Sequence, residues 1–185
     1  MRIFVALAAL GSFCWLAGLS AAADDKKEDK ASADQEFAKK ASACGMAEVD
    51  LSNLALIRAR DPAVRQFAQQ MINDHTQANR ELLQWANRQQ VPLAKSKDED
   101  HQKCFDKLAK LSGNEFDQAY MEGMVKDHEE AVKLFETQSK EGKDEALKSW
   151  ADKKVPTLKK HLETARKLCK EGKDKSETRK DAKDK

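Results

Sequence analysis

The stretch SGNEFDQAYMEGMVKDHEEAVKLFETQSKEG, residues 112–142, decides the fold. Phe116, Tyr120, Met124, His128, Val132 and Phe135 recur in steps of three and four, which places them on one face of an α-helix. Ser112 and Glu115 have the spacing of a capping box, in which hydroxyl and carboxylate satisfy free amides reciprocally. Gly142 stops the pattern, and Asp144 is placed to cap a following helix that runs to about Lys170. The apolar stripe of that helix holds Leu147, Trp150, Leu158, His161, Ala165 and Leu168; Pro156 inside it removes one amide and predicts a kink.

The same periods extend upstream. Residues 98–111 predict a short helix carrying Phe105, Leu108 and Leu111. Asp61-Pro62 reads as an N-cap followed by proline at the first helical position, opening a helix to about Gln90 with Val64, Phe67, Met71, His75, Ala78, Leu82 and Trp85 on one side. A first long helix, from about Asp34 to Ala59, aligns Phe37, Ala41, Cys44, Glu48, Leu51 and Ala55. With only 7 glycines and 3 prolines, the chain has too few turn residues for an all-β fold. The expectation is an all-α, antiparallel four-helix bundle with up-down-up-down connectivity and a short extra helix between the second and third.

The ends differ from this middle. Arg2 followed by a mostly apolar run to Leu19 and by Ala21-Ala22-Ala23 has the form of a signal peptide over residues 1–23. Residues 24–33 read as a flexible linker and residues 171–185, nearly all charged or small, as a disordered tail; the bundle domain is 34–170. The protein is therefore expected to be exported, periplasmic or envelope-associated, with membrane association only if residues 1–23 are retained. With 34 basic against 32 acidic residues of interspersed sign, the charges read as solvated helix faces. No basic stripe points to nucleic acid, and no glycine-rich loop points to ATP or another nucleotide. No serine lies in a GxSxG elbow, so nucleophilic catalysis has no support and no catalytic residue is assigned; the reading leans away from an enzyme and leaves the question open. A protein partner or an oligomer is compatible with the composition.

Each of the four long stripes carries one polar or ionisable residue: Glu48, His75, His128 and His161. All fall near the middle of their helices, so in a bundle they meet in one layer. Burying such groups unpaired costs several kcal/mol, which leaves two readings. Three imidazoles and a carboxylate suit one transition-metal ion such as Fe, Mn or Zn. Alternatively, a hydrogen-bonded polar layer forms, with Asp74 accepting from His128 and Asp127 from His75. Asp74 and Asp127 also suit second-shell orienters of metal-bound histidines. Tyr120, two turns from His128, is a candidate neighbour of the layer, though a core tyrosine is the plainer reading. Met46, Met71, Met121 and Met124 read as core filler. Of the cysteines beyond residue 23, the topology puts Cys104 and Cys169 at one end, predicting a Cys104–Cys169 disulfide with Cys44 free.

Several segments together resemble a bacterial family of exported proteins known as domain of unknown function 4142, within the ferritin-like class of bundles. They are Gly45-Met46-Ala47-Glu48-Val49, Met71-Ile72-Asn73-Asp74-His75, Leu111-Ser112-Gly113 with Phe116-Asp117 and Tyr120, Asp127-His128, Val155-Pro156, and Leu158 with His161-Leu162. The resemblance runs from about Phe37 to Leu168 and implies a ferritin-like bundle in the cell envelope. It implies no reaction. Di-iron members of the wider class use Glu-x-x-His on two helices. Here Ile72, Val125 and Leu158 stand three before the histidines, so the bridging carboxylates of such a centre are missing. Two functions remain: a non-enzymatic stress or scaffold protein, ranked first, and a single-metal-binding protein with redox or metal-handling activity.

Overall fold

The computed structural model describes the backbone of residues 21–183 and the side chains of residues 33–175. Its helices are α1 (Ala21–Arg58), α2 (Pro62–Gln89), α3 (Glu99–Leu108), α4 (Gly113–Glu141) and α5 (Glu145–Lys183), with no strand among the described residues. The predicted signal peptide falls outside those residues except for Ala21–Ala23, which begin α1. Segments 24–33 and 171–183, read as linker and tail, are helical continuations of α1 and α5. A helix already nucleated by packing extends at little cost through good formers such as Ala, Lys and Glu.

Local chemistry sets the starts. Asp61 Oδ1 accepts from Ala63 N at 2.9 Å ahead of Pro62. Asp144 Oδ1 accepts from Leu147 N at 2.7 Å, and Asp98 Oδ1 from His101 N at 2.9 Å. The capping box does not form: Ser112 makes no side-chain cap bond. Gly113 instead takes φ +62°, a left-handed turn open to glycine, and pairs with Ala59 in an isolated parallel bridge. α5 continues through Pro156, which is exposed.

Long-range bonds fix the direction of each helix. Asp34, at the start of the described part of α1, accepts from Lys143 N and Asp144 N in the α4–α5 turn and from Gln138 Nε2. Trp85 near the end of α2 donates to Asp144. Those groups define the lower end. At the upper end, Asp117 of α4 accepts from Arg60 N and Asp61 N of the α1–α2 turn at 2.9 and 2.8 Å, and Lys175 of α5 reaches Asp61. So α1 runs up, α2 down, α4 down and α5 up. This corrects the predicted up-down-up-down order. The segment after α2, containing α3, climbs the whole bundle, which gives the single long crossover of ferritin-like folds. α1 packs on α2 and α4, and α5 packs on α2 and α4, leaving α2 and α4 parallel and diagonal.

The core is divided at mid-height. The upper cluster contains Leu51, Phe67, Met71, Phe116, Tyr120, Met121, Met124 and Ala165. The lower one contains Phe37, Leu82, Trp85, Phe135, Leu147, Ala151 and Leu158, with Phe37 edge-on to Phe135 at 5.0 Å. Trp85 and Trp150 both pack and donate, to Asp144 and Glu81 respectively. Cys104 and Cys169 both lie against the upper cluster, the end assigned to them, but the predicted bridge is absent: Cys44, Cys104 and Cys169 are free thiols. Cys169 Sγ is instead approached by Gln118 Nε2 at 3.4 Å, so that thiol already has a polar neighbour.

Candidate metal centre

The gap between the two apolar clusters is filled by Glu48 of α1, His75 of α2, His128 of α4 and His161 of α5, one from each long helix. Glu48, His128 and His161 are 5, 1 and 2 % exposed. His75 is half-buried, with its Nε2 shut off from solvent. The three rings form a near-equilateral triangle, with centroids 5.6 Å apart for His75–His128, 5.7 Å for His75–His161 and 5.4 Å for His128–His161. The histidines' ligand nitrogens lie within 4.8 Å of one another.

Two neighbours fix the tautomers. His128 Nδ1 is 2.9 Å from the Met124 carbonyl, which can only accept, so that nitrogen carries the proton and Nε2 keeps a lone pair. His161 Nε2 is 2.9 Å from Asp74 Oδ2, so Nε2 donates and Nδ1 keeps the lone pair. Those lone-pair nitrogens, His128 Nε2 and His161 Nδ1, are both buried without a hydrogen-bond partner, as are His75 Nε2 and Glu48 Oε2. For His128 and His161, a carbonyl or carboxylate behind the imidazole with a bare nitrogen in front is the arrangement of metal-ligating histidines, and His75 turns its own bare Nε2 into the same layer.

Electrostatics keeps the rings neutral. Burial pushes His75 well below its ordinary value, with His128 and His161 adding to the shift. Burial, then His161, brings His128 down to about 4 against the opposing Met124 bond. Burial lowers His161 while Asp74 opposes it. Burial, helped by Asp127, raises Glu48 well above the usual carboxylate range. Glu48 Oε1 and His128 Nδ1, 3.6 Å apart, are therefore close neighbours and not an ion pair. Neutral imidazole is the form that binds a metal.

The predicted residues do not all take their expected places. All four stripe residues reach the layer, but Glu48 stands outside the mutually close histidine group, on the Nδ1 side of His128. Asp74 bonds His161, not His128, because α5 is the true neighbour of α2. The pairing of Asp127 with His75 is likewise absent from the bonds of the described residues. α4 is diagonal to α2, and Asp127 faces the first turn of α3, where His101 lowers and Asp98 raises its proton affinity within a net upward shift led by burial. Tyr120 belongs to the upper core, its hydroxyl 2.8 Å from Ser52 Oγ. Phe67 lies edge-on between it and the layer, with ring centroids 6.4 Å from Tyr120 and 6.5 Å from His161. The reading of the sequence missed Asp34 and Asp117 as buried tertiary caps. Their position on the apolar stripes, three before Phe37 and one after Phe116, was the available signal.

No helix among the described residues is long and apolar enough to cross a membrane. Among curated proteins, none matches the sequence. Solved structures do match in fold. A DUF305 protein from Streptomyces coelicolor, described as secreted, is 18% identical with a TM-score of 0.67, covering 76% of this chain and 92% of its own. A DUF305 fragment from Deinococcus radiodurans is 16% identical with a TM-score of 0.67, over 75% and 96%. CopM in its Cu(I)-bound form is 18% identical with a TM-score of 0.64, over 75% and 96%, and structures of CopM with Cu(II) and with Ag match similarly. At such identities the likeness establishes the helical, ferritin-like type of fold. The sequence itself matches the family described as domain of unknown function (DUF4142) over residues 19–168, and the chain belongs to that family.

Proposed function

We propose that this chain is an exported, envelope-located bundle protein that holds one transition-metal ion at mid-height between His75, His128 and His161. One observation carries the reading: three converging imidazoles whose forward nitrogens are buried without partners. A polar layer serving only structure pairs its groups, since each buried unsatisfied atom costs about 1–3 kcal/mol. The scaffold reading ranked first from sequence needs such pairing and does not find it. The copper- and silver-bound forms of CopM support the metal reading and add copper to the Fe, Mn and Zn expected from donor types. Asp74 and the Met124 carbonyl orient the ligands, while Glu48, beside His128, is the nearest buried carboxyl to the ion's charge. A catalytic ion keeps an open position for substrate. Donors from three different helices, with apolar clusters above and below, suit holding or carrying an ion better than transforming a substrate.

Elemental analysis of the full chain, purified without a histidine tag, tests this beside the His75→Ala, His128→Ala double variant. About one ion per chain, lost in the variant, is expected. No ion in either after incubation with Cu, Zn, Fe and Mn would return the layer to a structural role.

A further inference from the structure

The histidine triangle says where an ion sits but not which ion it prefers. That depends on the next donors, and the two sides of the layer differ. Below it stand Leu158 and, partly buried, Ala131 and Val132, which offer no lone pair, and the Cys44 thiol on that side lies by Glu48, which is outside the histidine group. Above it stand Met71 and Met124, both wholly buried. Met71 lies one turn before His75 and Met124 one turn before His128. Because α2 and α4 run in the same direction, both methionines fall on the same side of the triangle, from diagonal corners of the bundle. His128 Nδ1 bonds the Met124 carbonyl at 2.9 Å, which seats that imidazole against the Met124 turn.

Oxygen donors near the triangle are few: Asp74 is engaged by His161, and Glu48, outside the close histidine group with Oε1 beside His128 Nδ1, offers at most its unpartnered Oε2. Cys44 lies one turn below Glu48 on α1, beside the carboxyl. A buried methionine ordinarily fills space; this pair also flanks two ligand histidines.

Given the triad reading above, we propose that Met71 and Met124 complete the centre as soft thioether donors and make it select Cu(I) or Ag(I) over Zn(II), Fe(II) and Mn(II). Imidazole and thioether together favour a soft, low-coordinate ion, whereas Fe(II) and Mn(II) want several carboxylate or water oxygens, of which the layer offers at most the one carboxyl of Glu48. The long, unbranched side chain of methionine lets each sulfur swing onto an ion from the turn above without moving the helices.

The full chain, labelled with ¹³C at its methionine methyls and held under reducing, thiol-free conditions, provides the test. Its 5 methionines give few enough signals to assign by substitution. One equivalent of Ag(I) is expected to move the Met71 and Met124 methyls and leave Met46 and Met121 in place, while Zn(II) moves none of the four. The Met71→Leu, Met124→Leu variant, nearly volume-conserving, is expected to lose about tenfold or more in Ag(I) affinity, with Co(II) binding unchanged. Histidine ring signals that respond to Ag(I) while both methyls stay fixed would overturn the thioether assignment and leave the triad intact. Methyl shifts that persist in the His75→Ala, His128→Ala variant would also overturn it, since the ion would then sit elsewhere. If no histidine or methionine signal responds to Ag(I), Cu(I), Zn(II) or Co(II), the triad reading falls as well. The Cys44→Ser variant gives the shifts of the parent if the thiol takes no part.

Discussion

Asp34 and Glu48 lie on the same helix, and each is 5% exposed, yet the bundle treats them oppositely. Asp34 accepts from two backbone amides of the α4–α5 turn and from Gln138, so its burial is fully compensated. Glu48 has an oxygen with no partner, within a layer where three imidazole nitrogens are also unpartnered. Polar groups at the ends of the bundle are satisfied by the chain itself; those at the middle are left waiting for something outside it. The difference separates groups kept for stability from groups kept at its expense.

The largest effect expected from this contrast is at Asp34. Its replacement by Ala strands buried donors and should cost about 3 kcal/mol, read as a fall of several degrees in Tm. Glu48→Gln removes a buried acid without stranding a donor and should leave stability within about 1 kcal/mol of the parent, or above it. Comparable losses in the two variants would end the distinction.

Acid sharpens it. A histidine whose folded affinity for protons is depressed contributes full stability above its ordinary 6.5, and that contribution is lost as pH falls toward the folded value. For His128, at about 4, the loss is about 3 kcal/mol by the time the lower value is passed. Glu48 works the other way: its raised affinity makes the folded chain gain stability as pH falls toward 4.5. Urea titrations of the metal-free chain from pH 7 to 4 should therefore show a steeper acid loss in Glu48→Gln than in the parent. A flat profile in both would contradict neutral, buried imidazoles.

The smallest effect is at Ser112. Because it makes no cap bond, Ser112→Ala should change stability by less than about 0.5 kcal/mol. A loss of about 1 kcal/mol or more, the usual cost of a true N-cap, would restore the capping box suggested by its spacing to Glu115.

That spacing shows where sequence patterns mislead. Stripes of period 3.6 located every long helix, because apolar residues must face a core whatever the connectivity. The layer was legible for the same reason: mid-height stays mid-height whether a helix points up or down. Direction was not legible. The connection 90–112 reads as a loop with a short helix, and nothing in its residues says that it climbs the bundle. The Asp74 and Asp127 pairings failed with it, since they assumed that α2 and α4 are neighbours. Asp34 and Asp117 escaped notice because an acid near a helix start looks solvated until the turn it caps is in place.

The crossover also bears on folding kinetics. The chain is two local hairpins, α1 with α2 and α4 with α5, and each brings only two of the four layer residues. Neither can assemble the histidine triangle alone, so an ion recognises the docked pair and not its halves. Interactions absent from the transition state slow unfolding and leave folding rates largely unchanged. The bound ion would then act as a latch between hairpins, lengthening the lifetime of the native state far more than it speeds its formation.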